Sequence, residues 1–112
     1  MTKLTARELV QNSPMAFRRE KAEGVNAVIQ FDVTGSDVFQ GYLTIKDGEC
    51  TYTDGVVVNP TLTIKTPADV WVKMLMGDLN PQTAFFKRMY QAQGDMSLFM
   101  RMGQMFGDRR GS

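Results

Sequence analysis

The sequence predicts an α+β fold in which a five-stranded, mostly antiparallel sheet is covered by helices. Between about residues 25 and 64, apolar and polar residues alternate with a period of two, which is typical of half-buried strands. Helix-capping residues and apolar runs with helical spacing lie on both sides of this block. Strands in a block followed by helices are typical of α+β domains, and 112 residues suffice for one domain.

The N-terminal segment, residues 1–23, is predicted to be a helical part of the same domain. One helical piece runs from Leu4 to about Gln11. A second piece restarts with Ser13 as the N-cap and Pro14 at the first helical position, and Gly24 ends it.

Four strands are predicted after Gly24. In the first, Gln30 and Asp32 face away from the apolar side, which carries Val25, Ala27, Ile29, Phe31 and Val33. The turn Asp47-Gly48 can adopt the positive φ angles of a tight hairpin. It joins the second and third predicted strands, residues 38–46 and 49–53, and the fourth carries Leu62 and Ile64.

Capping patterns divide the rest of the chain into three helices and one strand. We expect Thr66 to cap a helix that has Pro67 at its first position and ends at Gly77. Asn80-Pro81 begins the next helix in the same way. Residues 90–93 then form a fifth strand that ends at Gly94, and Asp95 caps a last helix over residues 96–106. Residues 107–112 are predicted to be a flexible tail.

The composition excludes several classes of function. The chain has no histidine and a single cysteine, Cys50, so we expect no Ser-His or Cys-His nucleophile and no metal site. Its 13 basic and 12 acidic residues form no long basic run, which argues against a nucleic-acid partner. A lone cysteine, and the absence of a signal-like or membrane-spanning apolar segment, predict a cytoplasmic protein.

A short basic group leaves a membrane contact open. Arg18, Arg19 and Lys21 lie close together, but Glu20 and Glu23 interleave with them. This pattern favours an ordinary solvated surface over a transient contact with a membrane.

The last predicted helix has more apolar surface than one small core requires. A surface helix needs an apolar face of only about 100°. Here the polar residues Ser97, Arg101, Gln104 and Asp108 form a single narrow stripe, and seven of the nine methionines lie between Met74 and Met105. Flexible thioether side chains suit surfaces that accommodate apolar ligands. The helix can therefore belong to a plain core, a dimer interface or a ligand cavity.

The segment Gly77-Asp78-Leu79-Asn80-Pro81-Gln82-Thr83-Ala84-Phe85-Phe86 resembles the sterol carrier protein 2 family. That family has an Asn-Pro-Gln-Ser-Ala-Phe motif, then a short strand ending in Gly-Asn or Gly-Asp, and a methionine-bearing helix. Gly94-Asp95-Met96 follows the motif here at the matching distance, and the resemblance spans roughly residues 24–106.

The resemblance implies a lipid-binding core over residues 24–106, with an apolar tunnel that the C-terminal helix closes. Family members bind sterols, fatty acids, fatty acyl-CoA or phospholipids without a cofactor and without catalysis. Carried over by position, the tunnel lining comprises Phe31, Val33, Trp71, Leu75, Phe85, Phe86, Met96, Phe99 and Met100.

Two other functions stay open. Some relatives are accessory subunits in isoprenoid-quinone synthesis or domains appended to alkylsulfatases, so the apolar surface could serve a protein partner, with the chain a monomer or a homodimer. A small isomerase that uses a buried Asp and Tyr has little support, because only Asp32 lies near an apolar strand face.

Overall fold

A computed structural model describes residues 5–106 of the protein. The order of elements agrees with the sequence prediction. The strands are β1 (Ala27–Thr34), β2 (Phe39–Lys46), β3 (Glu49–Asp54), β4 (Leu62–Pro67) and β5 (Gln91–Gly94). The helices are α1 (Ala6–Gln11), α2 (Ala68–Leu75), α3 (Pro81–Phe86) and α4 (Met96–Met105).

The five strands form one mixed sheet in the order β3-β2-β1-β4-β5. Only the central pair β1 and β4 is parallel in the described part; the other neighbours are antiparallel. Asp47 and Gly48 have φ angles of 54° and 77°, which fit the two-residue hairpin predicted between β2 and β3. The predicted α+β fold with a mostly antiparallel sheet is confirmed.

One face of the sheet forms the core. Its buried side chains include Ile29, Phe31, Val33, Leu43, Ile45, Leu62 and Ile64. The helices contribute further buried apolar side chains, among them Val10 from α1, Trp71 from α2 and Met105 from α4. All belong to a single hydrophobic cluster, so the helices and this face of the sheet form the two layers of the domain.

Gln30 is buried on the opposite face, although the alternating pattern placed it on the polar side of β1. Only 3% of the residue is exposed. Its Nε2 donates to the carbonyls of Gly41 and Gly55, and its Oε1 accepts from the Val57 amide at 2.9 Å. The loop after β3 therefore crosses this face and replaces the water that the pattern predicted there.

The N-terminal segment differs from the prediction. Thr5 caps α1 with a reciprocal hydrogen-bond pair to Glu8, which is a capping box. The second predicted helical piece, with Ser13 as its N-cap, is wrong: two short 3-10 helices take its place, Ser13–Ala16 and Arg19–Lys21. The predicted start at Leu4 lies outside the described residues.

The predicted start of α2 is also wrong by one residue. Thr66 is still part of β4, paired with Val33, and its hydroxyl donates to the Pro67 carbonyl instead of accepting from the helix. Pro67 itself is the N-cap. At the other end, Gly77 has a φ of 85° and stops the helix as predicted.

The caps of the two later helices are as predicted. The Asn80 side chain accepts from the amides of Gln82 and Thr83, and Asp95 accepts from the Leu98 amide. The last helix ends one residue earlier than predicted, because Phe106 leaves it to pair with Phe17. The polar-stripe residue Asp108 and the predicted tail, residues 107–112, lie outside the described part.

Candidate functional site

Three of the nine predicted site residues lie in the core at the sheet face. Phe31 and Val33 point inward from β1, and Trp71 points inward from α2 because it lies one turn from the buried residues Ala68 and Met74. Trp71 meets Phe31 edge to face, with ring centroids 5.2 Å apart. These three residues form the inner part of the candidate site.

The indole of Trp71 carries a buried donor without an acceptor. The side chain is only 8% exposed, and its Nε1 has no hydrogen-bond partner within the described residues. Buried polar groups are almost always paired with protein or water. An acceptor oxygen beside Nε1 would therefore pair this buried donor.

A second group consists of aromatic rings between α3 and α4, of which Tyr90 is buried and Phe85 and Phe99 are half-buried. The ring centroid of Phe85 lies 5.3 Å from that of Phe99 and 5.8 Å from that of Tyr90, and the centroids of Tyr90 and Phe99 are 6.1 Å apart. Phe85, Phe99 and Leu75 are partly buried and pack against the same hydrophobic cluster as Trp71. An apolar layer thus continues from the sheet to the surface.

Tyr90 belongs to this group but was not among the nine predicted residues. It was assigned to the fifth strand, whereas β5 begins one residue later and Tyr90 turns inward. Its hydroxyl donates to the Pro81 carbonyl at 3.1 Å, and burial raises its pKa to about 12. No sequence pattern separates this position from the strand that follows.

The remaining three predicted residues face the solvent. Phe86 is 82% exposed, Met100 is 78% exposed and Met96 is also exposed. Helix α4 instead anchors itself through Leu98 and Met105, which are buried. The structure therefore does not bring all nine residues together, and a common tunnel lining stays a prediction.

Two surface hollows lie elsewhere. The larger, of about 660 Å³, is open and borders the turn at Gly48 and the second 3-10 helix. The smaller, of about 200 Å³, lies beside the start of β1 and the N-terminus of α4, with Arg101 at its edge. Both have mixed polar and apolar walls, and they share Gly24, Val25 and Asn26.

The surroundings of the ionisable side chains described next do not favour catalytic chemistry. Burial raises the pKa of the Cys50 thiol to about 11, which opposes formation of the reactive thiolate. Asp32, considered above as a catalytic acid, accepts from Gln40 on the exposed side of the sheet. Within residues 5–106, no cluster of acidic, cysteine or histidine side chains is arranged to hold a metal ion.

No helix in the described range is both long and apolar enough to cross a membrane.

Comparison with known proteins identifies one family. A family model, the SCP-2 sterol transfer family, matches residues 7–107. Sterol carrier protein 2 like 2 from Aedes aegypti is similar in fold, with a TM-score of 0.73 and 17% identity over 90% of this chain and 93% of its own. A palmitated form of that protein, in solution, matches with a TM-score of 0.70 and 18% identity over 88% of each chain.

Two further similar structures belong to a sulfatase and to a ubiquinone synthesis protein. A double mutant of the sec-alkyl sulfatase PisA1, an enzyme of Pseudomonas sp., matches with a TM-score of 0.78 and 19% identity over 93% of this chain. The match covers only 17% of the sulfatase. The ubiquinone synthesis protein UbiJ-SCP2 matches with a TM-score of 0.61 and 15% identity, over 82% of this chain and 75% of its own. At these identities, the likeness establishes the fold.

Proposed function

Because the chain belongs to the SCP-2 sterol transfer family, we propose that it binds and transfers a lipid-like ligand in the cytoplasm without catalysing a reaction. The ligand is a fatty acid, a fatty acyl-CoA, a sterol or a phospholipid. Lipid binding or transfer is the general property of the family, while the choice of ligand is specific to this proposal.

The observation that carries the proposal is the continuous apolar layer from Trp71 to the surface. Phe31 and Val33 supply its floor, and Phe85 and Phe99 supply its outer part. These rings are held to one another mainly by dispersion contacts, so an entering acyl chain can separate them while replacing the contacts it breaks. Residues 24–106 accordingly form the lipid-binding core.

An acyl chain has enough apolar surface for tight binding to such a layer. Each methylene transferred from water is worth about 0.8 kcal/mol, so a chain of about 16 carbons offers on the order of 10 kcal/mol before the cost of ordering it. The palmitated Aedes relative supports an acyl ligand on the same fold. No cofactor or metal takes part.

The free indole donor of Trp71 adds one polar requirement. A carbonyl or hydroxyl oxygen of the ligand would accept from Nε1 and satisfy the buried group. Fatty acids, acyl esters and sterols each carry such an oxygen. A ligand with one oxygen near an otherwise apolar chain therefore fits this layer best.

Helix α4 is the proposed moving cover. Its buried side chains Leu98 and Met105 belong to the hydrophobic cluster, and it is held to the N-terminal segment by the Arg18 amide, which donates to the Met105 carbonyl. Few polar bonds would have to break for this helix to move away from β5. Motion of such a cover controls ligand entry in many proteins.

Titration of the intrinsic fluorescence tests the proposal, because Trp71 is the only tryptophan. We expect palmitic acid to change the Trp71 emission with saturation at one ligand per chain and micromolar affinity. Protein already saturated with palmitic acid should respond less to oleic acid, because the two ligands compete for one site. Mass spectrometry of lipids extracted from the purified protein then identifies the natural ligand. Non-saturable changes, or a protein that carries no lipid and binds none, would refute lipid carriage.

The alternative is an accessory module whose apolar surface binds a protein partner or a second copy. Exposed Phe86 and Met100 favour it, and a ubiquinone synthesis protein has a similar fold. In that case the Trp71 emission would be insensitive to fatty acids, while analytical ultracentrifugation would report a homodimer or a complex.

A further inference from the structure

We propose that the α3–α4 side of the molecule docks on an anionic phospholipid membrane through exposed apolar side chains flanked by Lys87 and Arg88. The proposal does not require the interior to bind a ligand, so it can hold or fail independently of lipid carriage.

Four large apolar side chains are exposed on this side. Phe86 and Met100 are almost fully exposed, and Met89 and Met96 are exposed to more than a third. Phe86 lies on the outer side of α3 because Ala84 is the residue of that helix that packs inward. Single exposed apolar residues are common, so their arrangement decides whether they matter.

Aromatic contacts connect α3 with α4, and Met89 lies at the turn that directly follows α3. The Phe86 ring lies 6.4 Å from Phe85, which in turn lies 5.3 Å from Phe99 in α4. Met96 and Met100 are one helical turn apart, next to Phe99, and therefore lie on the same side of α4. We call Phe86, Met89, Met96 and Met100 the apolar docking surface.

Two basic residues lie next to the apolar docking surface. Lys87 and Arg88 follow Phe86 directly, both are exposed, and neither forms an ion pair within the described residues. Arg88 has a φ of 58°, so the chain reverses there and presents the two side chains at a tight turn. Residues 81–106 contain Lys87, Arg88 and Arg101 against a single acid, Asp95.

The other two charged residues of this segment each form a hydrogen bond. Asp95 accepts from the Leu98 amide as the cap of α4, and Arg101 donates to the Lys21 carbonyl. Three basic residues against one acid give the segment a net charge of +2, and the two basic side chains at the turn beside Phe86 form no ion pair among the described residues.

A membrane fits this combination of features. Aromatic and methionine side chains can enter the boundary between headgroups and acyl chains, while lysine and arginine stay with anionic phosphates. The apolar docking surface is also continuous with the half-buried rings Phe85 and Phe99. Docking would thus bring the outer end of the apolar layer against the bilayer.

Vesicle flotation tests the proposal with phosphatidylcholine vesicles, with and without phosphatidylglycerol. We expect binding to the anionic vesicles that weakens as salt rises. The double variant Phe86→Ala/Met100→Ala should reduce binding roughly tenfold, since it removes most of the inserted apolar area. The variant Lys87→Gln/Arg88→Asn should reduce it by about fivefold per charge, and Asn tolerates the left-handed conformation of position 88.

Matched controls carry equally exposed residues elsewhere. Met15 and Val58 are as exposed as Phe86 and Met100, and Lys46 and Lys65 are exposed on the sheet. The variants Met15→Ala/Val58→Ala and Lys46→Gln/Lys65→Gln should bind vesicles as the unaltered protein does, and all four variants should keep its thermal melting temperature.

Three outcomes would overturn the proposal. The unaltered protein could fail to bind either vesicle, the control variants could lose as much binding as the docking variants, or binding could be independent of phosphatidylglycerol. If vesicles are not bound but Phe86→Ala/Met100→Ala converts a dimer into a monomer in sedimentation, the surface is a protein interface instead.

Discussion

Trp71 meets Phe31 edge to face at a centroid distance of 5.2 Å and an interplanar angle of 70°. This contact joins helix α2 to the centre of the sheet and fixes the direction of the indole ring. The Nε1 group, which has no hydrogen-bond partner among residues 5–106, is consequently held among apolar side chains.

The variant Trp71→Phe tests the role of that donor. It keeps an aromatic ring against Phe31 but removes the N–H group. We expect the affinity for palmitic acid to fall about three- to tenfold, the value of one hydrogen bond, while a hydrocarbon of equal length binds as before. Calorimetric titration measures both, and an equal loss for the two ligands would indicate altered packing rather than a lost hydrogen bond.

The buried amide of Gln30 should be important for stability. Gln30→Leu leaves the Val57 amide and two carbonyls without their partner, so we expect unfolding to become easier by about 2 to 3 kcal/mol. Gln40→Leu is the matched control, because the Gln40 side chain is exposed and, within residues 5–106, bonds only to Asp32. Urea denaturation compares the two, and equal costs would contradict a structural role for Gln30.

The two faces of helix α4 should respond differently to truncation. Met105 is fully buried, so Met105→Ala should cost about 2 to 5 kcal/mol of stability. Met100 is exposed, and Met100→Ala should change stability by about 0.5 kcal/mol or less. Denaturant melts of both variants give the comparison. A large cost for Met100→Ala would mean that this side chain is covered in solution.

Alkaline pH should destabilise the fold. Burial raises the pKa of Cys50 from 9.0 to about 11 and that of Tyr90 from 10.0 to about 12, so the folded state holds these protons more tightly than the unfolded chain. Stability is therefore retained below about pH 9 and is lost as the pH rises toward the folded-state values. Denaturant melts across this range measure the loss, and Cys50→Ala should remove its lower part. Stability that increases above pH 9 would contradict the assignment.

The contact between Phe17 and Phe106 should restrain helix α4. Their rings lie 5.6 Å apart, and the two residues also form an isolated backbone bridge. We expect Phe17→Ala to speed amide hydrogen exchange in α4 and to accelerate the release of bound ligand. Met15→Ala, which removes an exposed side chain nearby, serves as the control. Unchanged exchange in α4 would show that the restraint lies elsewhere.

Much of the fold was determined by the sequence because local rules apply to it directly. The Asp47-Gly48 turn, the Asn80 and Asp95 caps and the Gly77 stop each depend on residues close together in the chain, and the structure has them as predicted. The alternating pattern likewise identified the core face of β1. The family motif around Asn80-Pro81 led to the same family as the comparison of the whole chain.

Other features were decided only by tertiary contacts. Gln30 looks like a solvated residue until the loop after β3 crosses it, and Thr66 looks like a helix cap until β1 pairs with it as a strand. Helix α4 is apolar on most of its surface, so its sequence could not say which methionines are buried. Packing against the sheet chose Leu98 and Met105, and it left Met96 and Met100 in the solvent because a helix can bury only the side that meets the rest of the domain.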